Sequence, residues 1–533
     1  MESKKYQAFW RGAIILTIAS FVTKVLSAFY RIPYQNIAGD VGFYIYQQIY
    51  PFYGFCLILA TYGFPIIISK VVAERLERGK KQEAEEIICV SFWFLLGIGF
   101  IGFFTLFFGA EAIAIAMGDI HLDKLLRVIS FSFILMPFLS VARGYFQGFN
   151  NMMPTAVSQV IEQTIRVSII VFLSLFLIAH EFDLYTVGAG AMLGSIAGGL
   201  IGIIVLILYM RHDFRSIFFK SVKRIKGKKK IIKILFWQGL AICVSNLVLI
   251  FIQMADSISF YSLLIGAGEP AESAKVLKGV YDRSIPLMQL GTVVTTSFSL
   301  SLIPIITAAK ERGDLTFIRE KVRLAMKITF VIGFAAAIGL TCIIQPTNIM
   351  LFENSDGSDV LSILSLSILF SSLSITTASI LQGLGQTLKP AIFVIFGGCL
   401  KLALNYILMP YFSVKGAAIA TLVALIVISV QNSVLLMRAV SESLIDKRNM
   451  LGVVISGIGM GFVLIMFMRV LQMSGLVMDT SHRGVATLEA LLGVAIGGLA
   501  YMFFILKLRV FTKAEIGTVM KKEKKEGSLK KSG

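Results

Sequence analysis

The chain has 533 residues, of which 56% are hydrophobic and only 15% are charged, and its mean hydropathy is +0.82. Soluble domains carry about 25% charged residues, so this composition excludes a water-soluble globular protein. The formal net charge of +19 results from 50 Lys and Arg against 31 Asp and Glu. Apolar runs of about 20 residues, each long enough to cross a bilayer, recur along the chain. We therefore predict an all-α polytopic membrane protein.

Hydropathy predicts fourteen membrane spans that are separated by short polar loops. In chain order these spans cover residues 12–32, 43–69, 88–108, 125–147, 158–179, 187–209, 235–258, 280–309, 325–345, 361–383, 391–410, 416–437, 450–471 and 485–506. The first span carries Lys24 near its centre and is too long for the core of a signal peptide, so we expect it to be retained.

Lys and Arg are distributed unequally between alternate loops, with 36 on one side of the membrane and 5 on the other. Basic loops favour the cytoplasmic side, so both termini are expected to be cytoplasmic. The same asymmetry explains the net charge without nucleic acid. The basic tail is then expected to lie near anionic lipid.

Four pairs of matching segments occur in the same order in the two halves of the chain. They are Phe9-Trp10-Arg11-Gly12 with Phe236-Trp237-Gln238-Gly239, Tyr46 and Pro51 with Tyr281 and Pro286, Pro65-Ile66-Ile67 with Pro304-Ile305-Ile306, and Gln147-Gly148 with Gln382-Gly383. A cation, Arg166 or Lys401, follows each of these glutamines by nineteen residues.

The repeat predicts two parallel six-helix bundles and three further segments. The bundles are residues 1–210 and 235–437, with a basic cytoplasmic linker at 211–234, two additional helices at 438–506, and a basic cytoplasmic tail at 507–533.

Parallel repeats are typical of transporters whose substrate binds near the midplane, between two halves that rock against each other. Pro51, Pro65, Pro286 and Pro304 lie in matching helices of the two halves. A proline frees a backbone carbonyl and permits a bend. These four prolines are candidate hinges, and static kinks are the alternative.

Ionisable residues inside the spans indicate the chemistry of the substrate, because each costs about 2.5–3.5 kcal/mol at the centre of a helix. Lys24 lies twelve residues into the first span and Arg31 lies seven residues further, which places both cations on one helical face. Asp282 and Arg283 open the eighth span, and Lys401 lies midway along the eleventh. Cations without a carboxylate in the first span favour an anion such as phosphate or diphosphate. For Arg31 and Arg283, snorkelling to the outer headgroups is the alternative.

Other charged residues have structural interpretations. Glu162 and Arg166 are four residues apart on the fifth span, so we expect a structural ion pair within that helix. Arg143 lies near the end of the fourth span, where we expect it to anchor the helix at the membrane interface.

The sequence has no motif that indicates an enzyme, a cofactor or a metal site. A GxxxxGK[ST] loop is absent, and the four histidines lie in loops without a ligand cluster. The five cysteines lie in or beside spans without metal-ligand spacing, which predicts neither a zinc site nor a disulfide framework.

The stretch from Ser20 to Tyr53 resembles the stage V sporulation protein B group of bacterial membrane proteins. The resemblance is carried by Tyr30-Arg31-Ile32-Pro33, by Ile37-Ala38-Gly39-Asp40-Val41-Gly42, and by Tyr46-Gln47-Gln48 followed by Tyr50-Pro51. That group belongs to the multidrug/oligosaccharidyl-lipid/polysaccharide (MOP) exporter superfamily, which also contains the MurJ lipid II flippases. The resemblance extends over essentially the whole chain.

The resemblance implies a MATE/MurJ-like fold and a flippase for an undecaprenyl-diphosphate-linked sugar. The cargo would be lipid II or another polysaccharide unit, and it would move from the inner to the outer leaflet of the bacterial plasma membrane. Tyr281-Asp282-Arg283 resembles the segment in which MurJ proteins keep a substrate-binding arginine, which implies that role for Arg283. Lys24 falls where they keep a first arginine, and Arg31 approximates a second with a spacing one residue longer. The candidate substrate-binding set is Lys24, Arg31, Tyr46, Gln47, Asp282, Arg283 and Lys401.

Two other functions stay open at this point. A cation-coupled exporter of amphipathic drugs would need a membrane acid, Glu162 or Asp282, and would not need Lys24. A non-transporting scaffold for wall or spore-coat assembly would tolerate neutral replacements of the buried cations. The carried sugar, the oligomeric state, a role confined to sporulation, and coupling to H⁺, Na⁺ or the membrane potential also stay open.

Overall fold

A computed structural model describes residues 2–210, 227–441, 446–473 and 482–511. Most of the predicted linker (211–226) and of the predicted tail (512–533) lies outside the described residues. Within the described ranges the regular structure is helical, without a β-strand.

Residues 2–210 form eight α-helices. They are α1 (Glu2–Phe29), α2 (Arg31–Ile58), α3 (Phe64–Glu77), α4 (Lys81–Phe108), α5 (Ala110–Ala116), α6 (Asp123–Gly148), α7 (Met153–Ala179) and α8 (Leu184–Met210). A π-helical segment, Leu59–Gly63, joins α2 to α3, and a short 3₁₀ turn, Ile120–Leu122, precedes α6.

The described residues from 227 onward form eleven α-helices. They are α9 (Lys228–Ile234), α10 (Leu240–Ser245), α11 (Val248–Gly266), α12 (Ala271–Asp282), α13 (Ser284–Glu311), α14 (Leu315–Cys342), α15 (Ile344–Phe352), α16 (Ser358–Gly383), α17 (Leu388–Val440), α18 (Lys447–Met473) and α19 (Arg483–Lys507). A second π-helical segment, Leu235–Gly239, joins α9 to α10.

Twelve helical segments of the described residues are long and apolar enough to cross a membrane. Two of them, 15–77 and 388–440, contain 63 and 53 residues, or about 95 and 80 Å of helix, whereas a bilayer core is about 30 Å thick. The chain leaves the helical conformation within each, at Gly39 (φ 69°) and Ser413 (φ 48°).

Contacts across both breaks show that the chain folds back there. The hydroxyls of Tyr30 and Tyr46 are 2.8 Å apart, and Lys401 Nζ lies 2.7 Å from the carbonyl oxygen of Ala417. Each long segment therefore makes two crossings, which gives fourteen in total. The predicted all-α fold with about fourteen transmembrane helices is confirmed.

The two ends of the helix bundle differ in charge. Basic residues cluster at one end, in the turn after α3, in α9 and in the turn after α13, and we call this the basic end. The opposite end contains the breaks at Gly39 and Ser413 and the turns after α7 and α15, and we call it the distal end. Helices cross between the two ends in alternation, as the loop charges predict.

Asp183 and Asp314 start helices at opposite ends of the bundle. Asp183 accepts hydrogen bonds from the Thr186 hydroxyl and from the backbone N–H groups of Tyr185 and Thr186, at the start of α8. Asp314 accepts one from the backbone N–H of Phe317 at the start of α14. These bonds favour the ionised form, so they lower the pKa of both carboxyl groups.

Helices α1 and α2 join the two halves of the chain. Helix α1 packs on α7 of the first half and on α13 of the second, and α2 packs extensively on α12. Helices α18 and α19 pack on each other and against α14 and α15, with large apolar side chains exposed on their outer faces. Such faces are suited to lipid. The predicted division into bundles at 210 and 235 stays a prediction.

The four predicted hinge prolines occupy two kinds of position. Pro51 and Pro304 lie inside α2 and α13. Pro65 and Pro286 lie near the starts of α3 and α13, just after an irregular turn within a continuous helical stretch. The first turn of α3 follows a π-helical segment, a common site of helix distortion. The hinge role stays a prediction for all four.

Candidate functional site

A cavity of about 220 Å³ lies between the two halves of the chain. Helices α1, α2, α6 and α7 line it from the first half, and α11, α13 and α16 line it from the second. Typical ligand pockets measure about 300–1,000 Å³. The cavity is therefore somewhat smaller than this range.

Lys24 and Arg31 lie on the same side of α1 and its continuation, as their spacing predicts. Lys24 lines the cavity, and its Nζ is 5.8 Å from the centre of the Tyr62 ring. Arg31 is fully buried and donates hydrogen bonds to the Ser27 carbonyl, at 2.8 Å, and to Gln289 Oε1. Ser27 and Gln289 both line the cavity, so Arg31 lies beside it and does not snorkel to the surface.

Arg166 is a third cation at the cavity, and its side chain is buried. It lines the cavity from α7, donates to the Tyr53 hydroxyl and to Gln163 Oε1, and lies 5.1 Å from the centre of the Tyr53 ring. The sequence places Arg166 within the fifth predicted span and predicts an ion pair with Glu162 for it, not a place in the binding set.

The predicted ion pair between Glu162 and Arg166 is wrong. Glu162 instead accepts a 2.6 Å hydrogen bond from Arg143 Nη2 of α6, and both side chains are buried. Arg143 also donates to Thr61 and Ser158. The physical reason is that α6 brings a second arginine to Glu162, while Arg166 turns toward α2. Arg143 is consequently a buried ion-pair partner, and the prediction that it anchors the helix at the interface is also wrong.

The cavity has an excess of positive charge. Glu162 lines it but is neutralised by Arg143. Among the residues that the structure describes, no carboxylate oxygen lies within 4 Å of the charged nitrogens of Lys24, Arg31 or Arg166. Arg31 Nε and Nη2 and Arg166 Nε also have no hydrogen-bond partner there. Unpaired charge at low dielectric strongly attracts an opposite charge, so the arrangement suits an anion.

Arg283 lies at the distal end, away from the cavity. Its Nε and Nη2 donate to the carboxylate of Asp40 at 2.7–3.0 Å, and its Nη1 donates to Asn348 and Asn354. Asp40 belongs to the first half and Arg283 to the second, so this pair joins the halves. Asp40 belongs to the motif Ile37-Ala38-Gly39-Asp40-Val41-Gly42, but the sequence gives no sign of its contact with Arg283.

Asp282 and Lys401 each form an ion pair with another residue of the second half. Asp282 pairs with Lys278, with one oxygen 2.7 Å from Nζ. Lys401 Nζ lies 2.7 Å from Asp256 Oδ1 and 2.8 Å from Asn405 Oδ1. Asp282 lines a smaller cavity of about 30 Å³ next to the central one, whereas Lys401 lines neither.

Tyr46 and Gln47, the last two predicted binding residues, are both buried. Tyr46 lines neither cavity, and its hydroxyl bonds to that of Tyr30. Gln47 lines the smaller cavity, and its amide has no hydrogen-bond partner among the described residues.

A metal site finds no support in the described ranges. No group of three or more His, Cys, Asp or Glu side chains is placed there so that it could hold a metal ion.

Comparison with known proteins identifies the family. Residues 9–310 match the family model described as "Polysaccharide biosynthesis protein". The chain belongs to this family. Residues 279–407 of this polysaccharide biosynthesis family member also match the MatE model, and the two matches place it in the MOP superfamily.

Three relatives of this family member come from Bacillus subtilis strain 168. The uncharacterized membrane protein YabM is 41% identical over 96% of this chain and 94% of its own length. The lipid II flippase MurJ is 26% identical over 92% of this chain and 94% of its own. Stage V sporulation protein B is 25% identical over 79% of this chain and 82% of its own. The predicted resemblance is confirmed.

Two solved structures share the fold. A MATE-family multidrug resistance transporter in an inward-facing conformation superposes with a TM-score of 0.65 at 16% identity, covering 80% of this chain and 98% of its own. The lipid II flippase MurJ in an inward closed conformation gives 0.63 at 16% identity, covering 93% and 99%. These structures share the fold, and the family matches and the relatives make the chain a multi-pass membrane protein of a superfamily of transporters and flippases.

Proposed function

We propose that this protein is a flippase that moves an undecaprenyl-diphosphate-linked sugar precursor of the cell envelope between leaflets by alternating access. The observation that carries the proposal is a group of three cations without a carboxylate partner among the described residues. Half-buried Lys24 and buried Arg166 line the cavity, and buried Arg31 lies beside it. Lipid II is one candidate cargo, because a lipid II flippase is among the relatives. Other polysaccharide units share the diphosphate that the three cations would bind.

Each cation has a distinct task in this mechanism. Lys24 offers a point charge, whereas the planar guanidinium groups of Arg31 and Arg166 bind phosphate oxygens directionally. The free Nε and Nη2 of Arg31 are two donors on one guanidinium and could hold one phosphate. The prenyl tail stays in lipid and reaches the head group through a gap between the halves, and rocking of the halves admits and releases the sugar.

The loop charges indicate how the protein is oriented in the membrane, and the membrane potential then favours one direction of transport. The loops at the basic end favour the cytoplasm, so the mechanism takes both termini as cytoplasmic in a bacterial plasma membrane. Export carries the cargo from the inner to the outer leaflet. A diphosphate with about two negative charges then gains about 4.6 kcal/mol per 100 mV of negative-inside potential, at 2.3 kcal/mol per charge, so the potential is a sufficient driving force.

A cation-coupled drug exporter is less well supported by the cavity. Such an exporter needs an acid that can bind and release a cation. Glu162 is the acid that lines the central cavity, and Arg143 occupies it. Asp282 is engaged in the same way by Lys278.

The test is transport of fluorescent undecaprenyl-diphosphate sugars by purified protein in liposomes. Lys24→Gln and Arg31→Gln are compared with the wild type at equal insertion, and exposed Lys230→Gln on α9 is the matched control. We expect each cavity variant to lose about tenfold or more of the transport rate, equivalent to 1.4 kcal/mol of lost binding. Lys230→Gln should transport like the wild type.

Two results would contradict the proposal. One is a wild type that moves no prenyl-diphosphate sugar, which would favour the scaffold. The other is full transport by both cavity variants, which would exclude the anion site.

A further inference from the structure

At the distal end a bidentate ion pair joins the two halves of the chain, in addition to the packing of α2 on α12. Arg283 is fully buried, and the Asp40 side chain is 15% exposed. Asp40 Oδ1 accepts from Arg283 Nε at 3.0 Å and from Nη2 at 2.8 Å, and Oδ2 accepts from Nη2 at 2.7 Å. A charge-assisted pair with this geometry is both strong and directional.

The backbones of the two halves also touch at this point. A Cβ added to Gly279 would lie 2.1 Å from the carbonyl oxygen of Asp40. Such a separation leaves room for glycine alone. The ion pair and this close approach together seal the distal end in the present conformation.

Arg283 is fixed from its own half independently of Asp40. Its Nη1 donates to Asn354 Oδ1 at 2.7 Å and to Asn348 Oδ1 at 3.3 Å. Its guanidinium carbon lies 5.3 Å from the centre of the Phe352 ring. One edge of the guanidinium is therefore held in place, and the edge formed by Nε and Nη2 is presented to the other half.

Asp40 lies in the turn that follows the first membrane crossing. It follows Gly39, whose φ of 69° and ψ of −178° break the helix, and Gln35 donates a hydrogen bond to its carboxylate at 3.0 Å. Asp40 therefore moves with the first half when the halves separate at this end.

We propose that Asp40 and Arg283 form a latch that closes the distal end, and that opening the latch transfers the Nε and Nη2 edge of Arg283 from Asp40 to the diphosphate of the departing substrate. The second part rests on the proposed function. Carboxylate and phosphate oxygens bind a guanidinium edge in the same bidentate way. Asp40 thus occupies, in the closed state, the site that the substrate anion occupies in the open state.

The exchange couples opening to the presence of cargo. Separating a buried pair leaves a charge without compensation, which is strongly unfavourable. An anion beside Arg283 removes that cost, so the loaded protein opens at the distal end more readily than the empty one. When Asp40 recaptures Arg283, it displaces the anion and closes the latch, which gives the cycle its release step.

The latch is tested by measuring the distance between the halves in lipid nanodiscs. Spin labels at Glu181→Cys, in the exposed turn of the first half, and at Ser355→Cys, in the exposed turn of the second, report opening of the distal end in a background without the native cysteines. Pulsed electron spin resonance gives the populations of short and long distances. We expect Asp40→Asn to raise the ratio of long to short distances about tenfold, the effect of 1.4 kcal/mol on an equilibrium.

A matched control and a second variant keep this test decisive. Asp359→Asn removes another distal-end ion pair, the 2.8 Å contact with Lys415, which lies within the second half. It should leave the distances unchanged. Gly279→Ala separates the backbones without changing a charge, and it should also increase the long distances. Unchanged distances in both Asp40→Asn and Gly279→Ala would overturn the latch.

The anion exchange is tested with inorganic pyrophosphate and two variants that both break the pair. Asp40→Asn keeps the guanidinium edge, whereas Arg283→Gln removes it. We expect both variants to open, and pyrophosphate to increase the long distances further in Asp40→Asn alone. An equal response of the two variants would overturn the exchange.

The spin-label experiment involves no lipid-linked sugar. A failure of sugar transport in liposomes would therefore contradict the proposed cargo and leave the latch to be decided by the distances.

Discussion

Arg143 and Arg166 line the same cavity, but Arg143 pairs with a carboxylate and Arg166 does not. We therefore expect Arg143 to contribute mainly to stability and Arg166 mainly to transport. Arg143→Gln leaves Glu162 as a buried carboxylate without its cation, a loss of about 3–5 kcal/mol. Arg166→Gln removes a cation whose partners are neutral, Tyr53 and Gln163. We expect Arg143→Gln to lower the Tm in detergent clearly. Arg166→Gln should keep the Tm close to that of the wild type and reduce liposome transport about tenfold.

The double variant Arg143→Gln with Glu162→Gln is the control for this comparison. It removes both charges of the pair, so it should regain much of the stability that the single variant loses. A stable Arg143→Gln together with an unstable Arg166→Gln would reverse the two assignments.

For single residues, the sequence predicts the relative positions of side chains on one helix better than it predicts contacts between side chains of different helices. The seven-residue spacing of Lys24 and Arg31 correctly places both beside the cavity, because helix geometry is local. Glu162 had a candidate partner four residues away, but packing of α6 on α7 supplies Arg143 instead. Asp40 meets Arg283 across 243 positions of sequence, a contact for which the sequence contains no local pattern.

Among the helices, the first π-helical segment packs on α10, so the two halves also touch beside the cavity. A Cβ added to Gly63 would lie 3.2 Å from Cys243 Cβ and 2.0 Å from its Sγ. Disulfides have Cβ separations of about 3.5–4.5 Å, so a slight shift and a rotation of Cys243 allow a bond. We expect Gly63→Cys to form a disulfide with native Cys243 under oxidation. This bond should block transport until a reductant is added, as followed by mass spectrometry and liposome transport.

The matched control for this cross-link is Gly63→Cys with Cys243→Ala. It carries the same substitution at Gly63 without the native thiol, so its transport should not respond to oxidant. Cross-linked protein that transports as fast as its reduced form would show that this contact does not open during the cycle.

The sequence predicts the helices well and their irregularities poorly. Hydropathy places the polar turns around Gly39 and Ser413, where the structure breaks two long helices. The sequence does not predict the π-helical segments at 59–63 and 235–239, although Phe236-Trp237-Gln238-Gly239 of the second belongs to the repeat. The repeat predicts Pro65 as a candidate hinge. The structure adds that Pro65 lies just after the first π-helical segment.

The whole molecule distributes its buried charges unequally between the two halves. The second half pairs Lys278 with Asp282 and Lys401 with Asp256. The unpaired cations at the cavity come from the first half. Composition and repeats predict the count of crossings and the parallel halves, since both depend on average hydropathy and local matches. Which half keeps unpaired charge depends on the pairing, and the sequence alone could not show it.

This asymmetry leads to a prediction about the driving force. A cavity with three cations and a cargo with about two negative charges should make transport depend on the membrane potential. We expect a negative-inside potential to accelerate outward movement of an undecaprenyl-diphosphate sugar, and a reversed potential to slow it, because each charge contributes about 2.3 kcal/mol per 100 mV. The measurement is the initial transport rate in liposomes with potassium gradients and valinomycin, at equal pH on both sides and without sodium. A transport rate that depends on a pH or sodium gradient but not on the membrane potential would contradict this mechanism. It would require a coupling ion whose charge balances that of the cargo.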